Sequence, residues 1–133
     1  MLISEIVENA SYAVWRLEMT NIIATNSKGK FSIKIEGHSG YADAGKDIVC
    51  SAVSVLAFTL LNEIQGRSKT LKNLAYEIKD AYFQLSFDYS DSIEIRAVLH
   101  TIMGGLNMVA EQYPEYVCIN LCPNGGEIFK SVM

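Results

Sequence analysis

The period of the apolar residues switches back and forth along the chain, and this constrains the fold more than any other feature. From Tyr12 to Ala24, Trp15, Leu17 and Met19 alternate with Arg16, Glu18 and Thr20, the period-2 pattern of a strand with one buried face. Residues 25–30 (Thr-Asn-Ser-Lys-Gly-Lys) supply a turn. Phe31, Ile33 and Ile35 then alternate with Ser32, Lys34 and Glu36 as the returning strand of a hairpin, which stops at Gly37. Beyond Asp47 the period becomes helical. Val49, Val53, Leu56, Leu60 and Ile64 share one face, and Ala52, Val55, Ala57 and Leu61 widen it. Asp47 is a good N-cap and Gly66 a good stop, so a largely buried helix is predicted between them.

The same succession then repeats. Leu71 to Tyr89 returns to strand character, with Phe83, Leu85 and Phe87 alternating against polar neighbours and Lys79-Asp80 dividing the stretch into a second hairpin. Asp91 and Glu94 resemble a capping box, and Ile95, Val98, Ile102, Leu106, Val109 and Tyr113 trace a second amphipathic helix that ends before Pro114. Gly104-Gly105 inside it costs about 2 kcal/mol of propensity, which argues for close backbone approach to a neighbour. Val117 to Leu121 is a last strand, followed by a turn at residues 123–126. The order β-β-α-β(β)-α-β predicts an α+β fold: an antiparallel or mixed sheet with two amphipathic helices on one face.

With 133 residues, half of them apolar, residues 1–133 are expected to form a single domain, 1–14 reading as an N-terminal extension. A formal net charge of −4 offers no basic face for nucleic acid. Met1 to Ala10 carries Glu5 and Glu8 and no basic cluster before an apolar run, unlike a signal peptide. Ile48 to Asn62, the longest uncharged stretch, is interrupted by Ser51, Ser54 and Thr59 and falls short of the roughly 20 residues of a membrane span. Three cysteines make no disulfide framework and point to a reducing compartment, so a cytoplasmic location is expected.

One stretch carries chemistry, from Gly37-His38-Ser39 to Lys46-Asp47-Ile48-Val49-Cys50. His38 stands at the end of a strand, and Cys50 in what reads as the first turn of the buried helix. Unpaired N–H groups and the helix dipole favour a thiolate there, and the same N–H groups can receive an oxyanion. Asp47 can cap the helix and also hold the His38 tautomer, while the glycines of residues 39–46 suit a movable loop. Spacing alone leaves a plainer reading open, in which Cys50 is a small hydrophobe, Asp47 only a cap and His38 a polar strand end. Cys118 and Cys122 lack a companion pair of ligands, so they read as structural thiols and no metal site is expected. His100 has no partner in sequence and falls at the edge of the second helix's apolar face. Neither phosphate-binding glycine pattern is present, which leaves no nucleotide cofactor to expect.

At these residues the chain resembles the ribosomal-processing cysteine proteases of the Prp family. The resemblance rests on Gly37-His38-Ser39, the Gly45 to Cys50 block with Val53-Ser54, Gly105-Leu106 and Tyr113-Pro114-Glu115-Tyr116-Val117, and covers roughly Trp15 to Leu121. It implies a cysteine endopeptidase of an α+β homodimeric family with a mobile loop near its site. Such an enzyme removes the N-terminal extension of the large-subunit ribosomal protein that reaches the peptidyl-transferase centre, cutting after an aromatic residue. Carried over by position, Cys50 is the nucleophile, His38 the general base and Asp47 the acidic residue beside them. The implied partner is a ribosomal protein with a basic N-terminal tail, suited to an acidic chain. Ser39 stands where the family usually has Ala, and the N terminus is longer than usual. The competing expectation is a non-catalytic ribosome-assembly or protein-interaction module docking through its apolar helices.

Overall fold

In the computed structural model of the chain, residues 19–37 and 44–122 are described, with side chains at 19–37 and 48–120. Seven elements follow one another: β1 Thr20–Ser27, β2 Lys30–Glu36, α1 Ala44–Gly66, β3 Lys72–Lys79, β4 Tyr82–Asp88, α2 Ile93–Gln112 and β5 Val117–Cys122. A single 3-10 turn at Ser68–Thr70 joins α1 to β3. The strands form one mixed sheet in the order β3-β4-β2-β1-β5, all pairs antiparallel except β1 with β5. This is the expected α+β fold.

The first hairpin differs from the sequence reading in its bounds. Residues before 19 lie outside the described set, and with them the proposed strand positions Trp15 and Leu17. Within it, β1 runs on through Asn26 and Ser27, which pair with Phe31 and Lys30. Only Lys28 and Gly29, at φ 54° and 74°, form the turn, as a two-residue hairpin connection of right-handed twist requires. Asn26 looked like a turn residue because its side chain is polar. It is buried instead, and its Oδ1 accepts a hydrogen bond from the Tyr89 hydroxyl at 2.6 Å, so burial leaves that acceptor satisfied. The second hairpin turns at Asp80-Ala81, between the closing pair Lys79 and Tyr82.

One face of the sheet is apolar. Ile22, Ala24, Phe31, Ile33, Phe83, Leu85 and Phe87 are buried together with Val49, Val53, Leu60 and Ile64 of α1 and Ile95, Leu99, Met103 and Leu106 of α2. The Phe31 and Phe87 rings sit 5.4 Å apart at its centre. Ile48–Gly66 is long and apolar enough to cross a membrane by length and composition, yet its Val49, Val53, Ala57, Leu60, Leu61 and Ile64 are spent on this core. Val55, expected to widen the buried face, is instead 64% exposed, because the sheet lies on one side of the helix only. The helices approach closely where Gly105 faces Leu56, whose Cδ2 lies 3.0 Å from where a Cβ would be, whereas Gly104 meets nothing within 4 Å. Of the glycine pair, Gly105 therefore makes the expected close approach.

Both helix starts differ from expectation. Ser92, not Asp91, caps α2: its side chain accepts from the Ile95 N–H at 3.3 Å. Glu94 pairs across the fold with Arg67 at 2.7 Å, and Arg67 also binds Glu63 at 2.8 Å. Helix α1 begins at Ala44, three residues before the expected cap, because Ala44 and Gly45 are helical without adding any apolar period to read. Ile33, fully buried on the central strand β2, gives a direct test of the core. Ile33→Ala should lower the unfolding free energy by about 2–5 kcal/mol, measured as a reduced urea midpoint at unchanged slope.

Candidate active site

Cys50 lies in the second turn of α1, the seventh residue from Ala44. Helical spacing sets Ser54 and Phe58 above it on one stripe, and all three line a cleft of about 280 Å³. Val53 and Ala57 of the same helix complete that wall. The opposite wall is the β3–β4 hairpin, through Ile78, Lys79, Asp80, Ala81 and Tyr82, and Thr20, Ile35, Gly37 and Phe83 of the sheet close the floor and one end. Phe58, half exposed, stacks edge-on against Phe83 at 5.9 Å. The cavity falls just below the roughly 300–1,000 Å³ typical of small-molecule pockets, a size suited to part of a larger ligand.

Gly37 is the hinge of this arrangement. Its φ is +106°, and a Cβ built there would stand 2.1 Å from the Met19 carbonyl oxygen, so no other residue fits without moving the backbone. Its N–H donates to the Ala81 carbonyl at 3.1 Å, which ties the end of β2 to the hairpin turn across the cleft. Chain positions 37 and 50, thirteen residues apart with the proposed loop between them, therefore line one cavity. At its mouth Lys79 donates to Glu77 at 3.0 Å and lies 5.1 Å from the centre of the Tyr82 ring. The hydrogen bond to Glu77, its charge and the neighbouring Tyr82 hold Lys79 above its ordinary range, against a smaller opposing effect of burial.

His38 and the 39–43 part of the proposed loop lie outside the described residues, as does the side chain of Asp47. In sequence Asp47 is the fourth residue of α1, inside the helix rather than capping it. The early start also moves the first-turn N–H groups about one turn, roughly 5.4 Å, ahead of Cys50. The idea that nucleophile and helix-end oxyanion donors coincide is corrected accordingly: the helix field falls off within its first turn, so a neighbouring base matters more. Cys50 and Cys118 are partly buried and neither is in a disulfide. Cys118 pairs with Asn21 near the start of the β1–β5 ladder. No group of three or more His, Cys, Asp or Glu side chains suited to a metal ion forms among the described residues. His100 is half-buried on α2, its Nδ1 enclosed without a hydrogen-bond partner.

Sequence reasoning did not anticipate the hairpin wall, because only the tertiary pairing of β2 with β4 brings residues 78–82 to the cleft. The stripe of Cys50, Ser54 and Phe58 was readable as i, i+4, i+8 spacing. A direct check of the cleft's frame is Gly37→Ala. It should lower the thermal midpoint and abolish any activity dependent on Cys50, because the Met19 carbonyl and the β2 end must separate to admit the methyl group. Unchanged melting by calorimetry would contradict this geometry.

Comparison with known proteins assigns this cleft to a family. Residues 19–118 match the model of the family described as cysteine protease Prp. The ribosomal processing cysteine protease Prp of Staphylococcus aureus is 26% identical over 99 residues, 74% of this chain and 93% of the relative. The crystal structure of the S. aureus protease in complex with a substrate peptide superposes with a TM-score of 0.65 at 25% identity, over 77% of this chain and 99% of that one. Its complex with a covalently linked product peptide superposes at 0.64 and 26% identity, over the same shares. A protein from Streptococcus mutans gives 0.62 at 26% identity, covering 80% of this chain and 96% of its own. With the family match spanning both walls of the cleft and the Cys50 stripe, this chain belongs to the cysteine protease Prp family and is a cysteine protease.

Proposed function

We propose that the protein is the endopeptidase that removes a short N-terminal extension from a large-subunit ribosomal protein, the one reaching the peptidyl-transferase centre, cutting after an aromatic residue. Cys50 is the nucleophile and His38 the general base. His38 takes the thiol proton, the sulfur attacks the scissile carbonyl carbon, and the tetrahedral intermediate collapses as His38 returns the proton to the leaving amine. Water, deprotonated by His38, then attacks the thioester and releases the acid and the Cys50 thiol. Asp47, one turn before Cys50, acts as a positioning residue for the imidazole. Thiolate and imidazole supply the nucleophile and the proton transfers, so the chemistry calls for no metal or cofactor.

The observation that supports this reading is the cleft itself, which is lined by both Cys50 and Gly37, the residue before His38. Its apolar lining of Val53, Ala57, Phe58, Ile78 and Phe83 is suited to an aromatic side chain next to the cut, since rings gain both burial and edge-to-face contact there. The S. aureus relative's substrate and product peptides support the same kind of ligand. The net charge of −4 favours encounter with the basic tail of a ribosomal protein before it meets rRNA. In this reading the enzyme works in the cytoplasm as a homodimer.

Incubation of the full-length ribosomal protein with the enzyme should shorten its N terminus, read by intact mass. Cys50→Ala should leave it whole, and His38→Ala should slow cutting by about 10⁴-fold or more. Equal processing by Cys50→Ala would instead favour the docking-module reading. Separately, one equivalent of iodoacetamide at neutral pH should label Cys50 ahead of Cys118 and Cys122 in a peptide map, and uniform labelling would count against an activated thiol.

A further inference from the structure

Strand β3 is the edge of the described sheet, next to β4 and nothing beyond it. Every one of its residues except Leu74 is exposed. The two-residue turn at Asp80-Ala81 makes Lys79 and Tyr82 the closing pair, and antiparallel pairing alternates from there. Lys79 and Glu77 turn their backbone groups toward β4, while Ile78 and Tyr76 turn theirs outward to the open edge. Opposite Phe83 and Leu85, the Ile78 and Tyr76 side chains lie on the helix-bearing face of the sheet, yet they remain 44% and 51% exposed. Neither described helix covers them fully. Phe58 of α1, itself 50% exposed, Phe83 and Ile78 line the cleft that holds Cys50, and Tyr76 carries the same apolar face of β3 two residues further on, so a groove along β3 opens into that cleft.

We infer that the substrate polypeptide binds in extended form along β3 as a sixth strand, its backbone pairing with Tyr76 and Ile78 and alternate side chains entering the groove against Phe58 and Phe83. This rests on the protease reading above and adds how the chain flanking the cut is held. Main-chain pairing gives affinity that is indifferent to sequence, and the groove reads every second side chain. The occupant is a peptide because the groove opens into the Cys50 cleft, where a peptide bond must be delivered. An edge with outward N–H and C=O groups meets the hydrogen-bonding needs of an extended chain that would otherwise lose its water partners on entering the cleft.

The test uses full-length Cys50→Ala protein, which binds without cutting, and a synthetic peptide spanning the ribosomal protein's N-terminal extension and its first retained residues. Single N-methyl groups are placed along the peptide one residue at a time, and affinity is followed by calorimetry. Losses of about tenfold at two alternating residues, with the residue between them tolerant, are expected. Tyr76→Pro, which removes an outward N–H that β4 does not use, should weaken the unmethylated peptide by a similar factor at an unchanged thermal midpoint. Binding that is insensitive to alternating N-methylation overturns strand addition while leaving the protease reading intact, even if Tyr76→Pro fails to fold. A change in sedimentation coefficient on Tyr76→Pro would assign the edge to a second copy of the chain and overturn it too. No peptide binding, together with no cutting by the unaltered enzyme, would remove both readings.

Discussion

Two helices must cover five strands, and they have no width to spare. Packed side by side at 8–10 Å, α1 and α2 shield about 20 Å of sheet, while the outer axes of five strands spaced about 4.8 Å apart already lie about 19 Å from each other, so full cover at one edge leaves the other bare. The helices are held together by the Gly105–Leu56 approach, and α2 covers the β5 side, where Val117 is buried. The shortfall therefore falls on β3. That strand keeps its apolar Tyr76 and Ile78 half in water, and α1 keeps Phe58 there too. What would be a packing defect in a purely structural domain is the mouth of the Cys50 cleft here.

The cleft is framed by backbone as much as by side chains. The Gly37 N–H reaches the Ala81 carbonyl, so the end of β2 and the β3–β4 turn are fixed to each other before any substrate arrives. Gly37 tolerates this only because it has no Cβ to meet Met19. A rigid sheet end next to the helix that carries Cys50 is an arrangement suited to holding reacting groups in place while a connecting loop varies. The field of the α1 end contributes less than its sequence position suggested, since Cys50 stands a full turn in. In the proposed mechanism the work of activation passes to His38.

Much of the layer was legible in the chain, because burial on one face imposes a period and two periods leave two signatures. Ile33, Phe31 and Phe87 read as core and are core, and Gly66 reads as the stop of α1 and ends it. The misreadings share a cause. Asn26, Asp47 and Asp91 are polar residues with strong local preferences for turns and caps, and tertiary neighbours overrode the preference at Asn26, where Tyr89 supplies a partner. At Asp91 the neighbouring Ser92 took the cap. Val55 followed the helical period and still faces water, because periodicity marks which residues share a face and not whether a sheet lies beneath.

By itself the sequence determined the α+β order, the two apolar faces, the spacing that sets a histidine twelve residues before a cysteine, and the family that spacing resembles. Each of these is written in local spacing, which survives without knowledge of the rest of the fold. Tertiary structure alone decided that the β3–β4 hairpin forms the second wall of the cleft, that Phe58 and Ile78 both line it, and that β3 is the edge of the described sheet. Those facts depend on strand order, on pairing between residues dozens of positions apart, and on how far two helices can reach over a sheet. No local pattern encodes them, because they arise only when the layers meet.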